Sequence, residues 1–194
     1  MATRLLAILG SVTPSGRLLS ATRWLLDSAS ESRKDLEVEL INLADKKVAF
    51  ADGRPPEQYK DDTAAIIESV RAANGVIVAS PVYRGSFTGA LKNLLDHLPL
   101  EALAGKPLGI VAMGATQHHY LGVDWHLRDV LAWFGALVVP TSVYLASGDF
   151  VDGQLVDGAK QDLKDLADAV IKLKEVAPAA GTYLGPRPLA SRRN

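Results

Sequence analysis

Gly75-Val76-Ile77-Val78-Ala79-Ser80-Pro81-Val82-Tyr83-Arg84-Gly85-Ser86-Phe87-Thr88-Gly89 is the stretch on which the fold turns. Val76, Ile77 and Val78 run together with no polar position between them. Such a run has no solvated face and marks a strand covered on both sides, as in the middle of a parallel sheet. Ser80-Pro81 stops it. A helix from Thr88 to Leu98 follows, with Leu91, Leu94, Leu95 and Leu98 on one side.

Outward from this unit the same pattern recurs. Leu5-Leu6-Ala7-Ile8-Leu9 reads as a buried first strand, and Leu18, Ala21, Leu25 and Ala29 follow at helical spacing. Leu36 to Leu43 alternates, with Leu36, Val38 and Leu40 opposite Glu37 and Glu39, so the second strand keeps one face in water and belongs nearer a sheet edge. Asp52-Gly53 and Pro55-Pro56 make 45–58 a loop, and Ile66, Ile67 and Val70 give a helix over 61–73 its inward face. Leu108 to Met113 is a fourth strand ending at Gly114, Val123 to Phe134 a fourth helix and Leu137 to Tyr144 a fifth strand. Pro140 has no N–H for a sheet ladder, which puts the fifth strand at an edge or a bulge in it. Gly158 to Val176 is the last helix, with Leu163, Leu166, Val170 and Leu173 recurring. Strands alternating with helices in this way are βα units around a parallel sheet. They fill residues 1–176 as one domain. Residues 177–194, with Pro178, Gly181, Gly185, Pro186, Pro188 and Arg192-Arg193, form a tail that cannot build a core of its own; a neighbouring subunit is one candidate for holding it.

Cysteine is absent, which removes disulfides, thiolate metal sites, iron–sulfur ligation and cysteine nucleophiles. A formal net charge of -1 leaves no basic footprint for nucleic acid. The run Leu5–Leu9 is too short for a signal segment, and no stretch approaches the length of a membrane span. A cytoplasmic protein is expected.

Ligands of a doubly wound sheet sit beyond the carboxyl ends of its strands. After the first strand, Gly10-Ser11-Val12-Thr13-Pro14-Ser15-Gly16-Arg17 offers hydroxyls at Ser11, Thr13 and Ser15, backbone N–H groups and a guanidinium at a helix N-terminus. That is a cradle for a phosphate. It is neither a P-loop nor a Gly-x-Gly-x-x-Gly dinucleotide loop. The same hydroxyls also suit turning the chain and capping the helix. After the third strand, Tyr83 suits packing on a planar ligand, with backbone groups facing its ring heteroatoms. The other reading has Ser86 or Thr88 as a helix cap and Phe87 buried. After the fourth strand, Gly114 lets the backbone approach a flat ligand, and Thr116 and Gln117 add hydrogen-bonding groups. His118, His119, Asp124 and His126 raise a metal site, but adjacent histidines rarely converge on one ion and no carboxylate–histidine repeat supports them. A polar site wall or a subunit contact is the plainer reading, and no metal is assigned. No Ser–His–Asp order, His-Glu-x-x-His motif or paired carboxylates stand out, so no catalytic side chain is assigned either. A phosphate cradle and a flat-ligand wall without an acid–base set point to chemistry done by a bound cofactor.

The run from Ala79 to Asp96 resembles the signature of NAD(P)H-dependent FMN reductases, nearest the subgroup serving alkanesulfonate and methanesulfonate monooxygenases. Gly10-Ser11, Ser15 and Arg17, Met113-Gly114-Ala115-Thr116 and Val123-Asp124-Trp125-His126-Leu127-Arg128 fall in matching order. The likeness covers roughly residues 4 to 175, more than one motif match would give. The resemblance implies a flavodoxin-like three-layer α/β sandwich with a five-stranded parallel sheet in the order 2-1-3-4-5. It implies FMN phosphate on Ser11, Thr13, Ser15, Gly16 and Arg17. The flavin ring would meet Pro81, Val82, Tyr83, Arg84 and Ser86, with Gly114, Ala115 and Thr116 on another side. It implies NADPH or NADH as hydride donor and a homodimer or homotetramer. Trp125 falls where relatives make a subunit contact near a flavin; a core tryptophan is the competing expectation. Two departures stand out: Met113-Gly114-Ala115 replaces a common Thr-Gly-Gly, and Thr13 stands where many members carry Arg.

The expected function is hydride transfer from a nicotinamide to FMN, with reduced flavin passing to a partner monooxygenase. Arg17 and Arg84 are candidate partners for phosphates of FMN or of the dinucleotide. The nearest alternative keeps FMN bound and reduces quinones, azo dyes or metal oxyanions. A flavodoxin-like electron carrier would usually be strongly acidic, unlike this chain. A receiver-type signalling domain needs an acidic pocket where Gly10-Ser11 stand, and a flavin-free interaction domain would not bind FMN.

Overall fold

The computed structural model describes residues 2–179 and 182–188. The strands are β1 (Thr3–Leu9), β2 (Leu36–Asn42), β3 (Gly75–Pro81), β4 (Pro107–Met113), β5 (Leu137–Val138) and β6 (Val143–Leu145). They form one parallel sheet in the order β2-β1-β3-β4, with β5 and β6 both paired to the outer side of β4. The helices are α1 (Arg17–Ser32), α2 (Thr63–Ala72), α3 (Gly89–His97), α4 (Tyr120–Phe134) and α5 (Asp157–Val176).

Alternation along β1 decides the layering. Leu5, Ala7 and Leu9 join Leu18, Leu25, Leu163 and Val170 in a core under α1 and α5. Leu6 and Ile8 point the other way, into a core with Ile67, Leu91, Leu94 and Leu127 under α2, α3 and α4. Each of these β1 leucines is fully buried and contributes roughly 1.5–3 kcal/mol of apolar burial. Two helical layers on one parallel sheet in this order make the fold flavodoxin-like.

The fifth strand is not the continuous run from Leu137 to Tyr144 that its sequence predicts. It breaks into β5 and β6, and Pro140 lies in the gap. The break leaves carbonyls without ladder partners, and Arg128 of α4 fills the gap. Its Nη2 donates to the carbonyls of Val139 at 3.0 Å and Pro140 at 2.9 Å. The same guanidinium grips the Asp124 carboxylate at 2.8 and 3.0 Å. A buried carboxylate needs such a partner.

A second departure is a small antiparallel hairpin, β7 (Phe150–Val151) and β8 (Gln154–Leu155), which the sequence reading leaves out. Its turn is Asp152-Gly153, a strong short-range hairpin signal. The loop before α2 is pinned to α3: Asn93 accepts from Ala51 N–H at 3.0 Å and donates to the Ala49 carbonyl at 2.9 Å. Within that loop, the Arg54 guanidinium and the Tyr59 hydroxyl hold the Asp52 carboxyl well below the usual carboxylate range. Of the tail, residues 180–181 and 189–194 lie outside the described residues. The Tyr183 ring lies against Gly135, and the Thr182 carbonyl against Gly105, at the amino end of the sheet. No described helix is long and apolar enough to cross a membrane.

Lys106 is buried and donates Nζ to the Val70 and Arg71 carbonyls at the end of α2. Burial pushes its pKa down from 10.5 to about 8. Between those values the unfolded chain binds more protons, so this residue's contribution makes the fold more stable as pH rises from about 8 to 10.5. Chemical denaturation of wild type and Lys106→Met across that range should show the difference shifting toward wild type by up to about 3 kcal/mol. Parallel pH profiles would show that the amine is not desolvated.

Candidate functional site

Parallel strands end together. Leu9 pairs with Ala79, Ser80 with Ala112, and Met113 with Leu145, so the chain leaves β1, β3, β4 and β6 at one rim of the sheet. The three segments singled out in the sequence, 11–17, 81–86 and 114–116, meet there.

In the first segment the hydroxyls do not cap α1. The cap position is Gly16, no side chain bonds to the helix N-terminus, and the first turn carries no acidic residue. Ser11 Oγ instead lies 2.7 Å from Thr13 Oγ1 and accepts the Thr13 N–H at 3.2 Å. A side chain built on Gly16 would meet nothing within 4 Å. The result is a helix N-terminus with uncapped amides, open space in front of it and hydroxyls at its side, which suits an anion. Arg17 extends across the rim: its Nη2 donates to Ser147 Oγ at 3.2 Å, and its guanidinium lies 5.2 Å from the Phe150 ring centroid.

The second segment divides into anchors and rim. Thr88, not Ser86, caps α3, accepting Leu91 N–H at 3.1 Å, while its hydroxyl donates to the Gly10 carbonyl. The buried Ser80 hydroxyl accepts Thr88 N–H at 3.2 Å. Tyr83 and Ser86 exchange backbone hydrogen bonds of 2.8 and 3.0 Å around Arg84 (φ 52°) and Gly85 (φ 78°). Two successive positive φ values make this a type I′ turn. Arg84 carries a side chain in the left-handed region, at a cost of about 1–3 kcal/mol that the surrounding hydrogen bonds must hold. Tyr83 is 47% exposed, and Phe87 is half-buried rather than fully so. His126 of α4 supports the turn from behind, its Nδ1 2.8 Å from Ser86 Oγ.

In the third segment Gly114 has a steric reason. A side chain there would overlap the Tyr144 hydroxyl, which donates to the Thr116 carbonyl at 2.6 Å. Burial pushes the Tyr144 phenol pKa up, so it stays a donor at neutral pH. Ala115 and Thr116 are exposed or nearly so at the rim. Three of the four metal candidates have other partners: Asp124 holds Arg128, His126 meets Ser86, and His118 Nδ1 lies 3.3 Å from Thr116 Oγ1. No three His, Asp or Glu residues gather to hold a metal among the described residues.

At the rim Thr13, Ser15, Gly16, Arg17, Tyr83, Arg84, Ala115 and Thr116 are exposed. A groove of about 490 Å³ lies elsewhere, between α3 and α4, with Leu95, Leu98, Val130 and Trp133 in its lining. Sequence reasoning missed Ser147, Phe150 and Tyr144 as rim residues. The Asp152-Gly153 turn signal would have placed Phe150 at the start of a hairpin. Nothing in the sequence pairs Tyr144 with Gly114 or His126 with Ser86.

A parallel sheet in this order, covered by helices on both faces, with three loop segments gathered at the carboxyl ends of its strands, defines a flavodoxin-like α/β protein. Residues 3–150 match the family model described as NADPH-dependent FMN reductase, and the chain belongs to that family. It is an oxidoreductase whose cofactors are FMN and NAD(P)H. It is 36% identical over 182 residues to an NAD(P)H-dependent FAD/FMN reductase of Geobacillus thermodenitrificans, covering 93% of this chain and 98% of that one. It is 32% identical to the NADH-dependent FMN reductase SfnF of Pseudomonas fluorescens, covering 94% and 95%. Among solved structures, an apo NADH:FMN oxidoreductase (EMOB) superposes over 100% of both chains with a TM-score of 0.75 at 25% identity.

Gly114→Ala should destabilise the fold by about 1–3 kcal/mol, because the added methyl must displace the Tyr144 hydroxyl from Thr116. Adding Tyr144→Phe should recover part of that loss in thermal denaturation. Additive losses would show that the two groups do not compete for the same space.

Proposed function

We propose that the rim is the FMN site. The observation that carries this is the N-terminus of α1, with no side-chain cap and no acid in its first turn. Ser11, Thr13, Ser15, Gly16 and Arg17 would take the phosphate through backbone amides, hydroxyls and one cation. Pro81, Val82, Tyr83, Arg84 and Ser86 would line one side of the ring, and Gly114, Ala115 and Thr116 another. Bound FMN supplies the atom that accepts a hydride from the nicotinamide. The protein's part is to hold the two rings in reacting alignment, and no side chain is needed as an acid or base for that transfer. Arg84, exposed at the tip of its turn, is placed to meet a phosphate of the dinucleotide.

The reduced flavin is then released to a monooxygenase. The exposure of Arg17, Tyr83, Arg84, Ala115 and Thr116 supports exchange of the flavin with solvent. Oxidation of NADH and NADPH should depend on added FMN and saturate with it. Quinone reduction at full rate without added FMN would move the reading to a tightly held cofactor, and no FMN dependence with no bound flavin would overturn it.

The chain works as a homo-oligomer through α4. Trp125 is 63% exposed, so it is not the core tryptophan that was the competing expectation. Trp133, two turns on, is 60% exposed on the same side of the helix. Exposed indoles at this spacing support burial against another subunit. Trp125→Ala should lower the oligomeric state in analytical ultracentrifugation or weaken flavin retention. Both unchanged would remove the idea.

A further inference from the structure

We propose that Phe150 and Ser147 are positioning residues. They fix the Arg17 guanidinium beside the phosphate cradle and so set how strongly the chain prefers a phosphorylated flavin over the same flavin without its phosphate. The inference rests on the flavin reading of the rim.

Arg17 is the first residue of α1 and its side chain is exposed. A long, solvated side chain at a helix end spends most of its freedom away from any one position, and holding it costs entropy. Two contacts reduce that freedom before a ligand arrives. The Phe150 ring lies under the guanidinium at 5.2 Å, and Ser147 Oγ takes one N–H at 3.2 Å. A guanidinium has five N–H donors, so the remaining ones stay available. Neither contact neutralises the charge. Arg17 has no carboxylate in ion-pair range among the described residues. The one acid in the turn, Asp149, is directed elsewhere, its Oδ2 accepting Ala146 N–H at 2.6 Å. The cation is therefore held without being quenched.

The bracket is itself anchored. Asp149 N–H donates to the Ala146 carbonyl at 3.1 Å, and Val156 N–H donates to the Asp149 carbonyl at 3.0 Å. Phe150 packs against the core under α1 and α5, and Leu155 across the hairpin is buried in it. The hairpin thus places an aromatic face and a hydroxyl at a fixed distance from the start of α1.

The test measures FMN and riboflavin binding by quenching of flavin fluorescence, in wild type and in Phe150→Leu, Phe150→Tyr, Ser147→Ala and Arg17→Met. Phe150→Leu keeps apolar bulk and removes the ring face. It should weaken FMN about threefold to fivefold and riboflavin by less, and Phe150→Tyr should restore wild-type binding. In the Arg17→Met background, Phe150→Leu should have no further effect on FMN. Equal weakening of both flavins, or the same loss in either background, would show that the hairpin acts only by general packing and would overturn the proposal. If Phe150→Leu does not fold, Ser147→Ala carries the same comparison from the other contact. Wild type that binds no FMN overturns the flavin reading itself; wild type that binds FMN, with Phe150→Leu indistinguishable from it, overturns this inference alone.

Discussion

One buried hydroxyl ties the rim together. Thr88 Oγ1 donates to the carbonyl of Gly10, where the segment between β1 and α1 begins, and accepts the N–H of Leu91 to cap α3. Its own N–H reaches Ser80 at the end of β3. The end of β1, the end of β3 and the start of α3 are therefore held through one residue that is 2% exposed. Water cannot replace a lost partner there, so these bonds are costly to leave unmade. The spacing between Gly10 and the segment that follows β3 is therefore set by core hydrogen bonding.

Helix α4 fixes the rest of the rim from behind. Gly122 comes so close to the Gly85 carbonyl that no side chain fits between them, and His126 reaches Ser86 on the same turn. One turn further on, Arg128 holds Asp124 and the broken edge of the sheet. The stretch Val123–Arg128 is thus structural along most of its length. His126 helps to set where the Tyr83–Ser86 turn stands, while the Trp125 indole is exposed.

Much of the fold was legible because each strand and helix declares itself in a local period. Val76-Ile77-Val78 can only be a covered strand, and Leu163, Leu166 and Val170 can only line a helix face. The order of the sheet came from the resemblance, since period does not say which strands are neighbours. Pro140 correctly marked trouble at the edge, but the guanidinium that fills the gap comes from another element and has no local signature. The rim was legible as segments rather than as contacts. Ser11, Thr13 and Ser15 suit a cap and an anion equally well in sequence, and only the uncapped Gly16 separates the two. Thr88 and Ser86 are likewise interchangeable on paper until one is buried as the cap of α3 and the other is half-buried in the turn. Phe150 was missed because a two-residue strand is too short to show a period, although its Asp-Gly turn was in plain sight.

The interrupted edge has a consequence for how copies of this chain can meet. An unbroken outer strand is a template onto which another chain can add its own backbone. Here that template is cut at Pro140, and the carbonyls beside the cut are already occupied by Arg128. The opposite edge, β2, carries Glu37, paired with Arg4 at 2.8 Å, and Glu39, which accepts from Ser69 at 2.8 Å, so charged and polar groups line that edge. The broken edge is therefore a poor template for a strand from another molecule, and the sheet ends where Arg128 closes it.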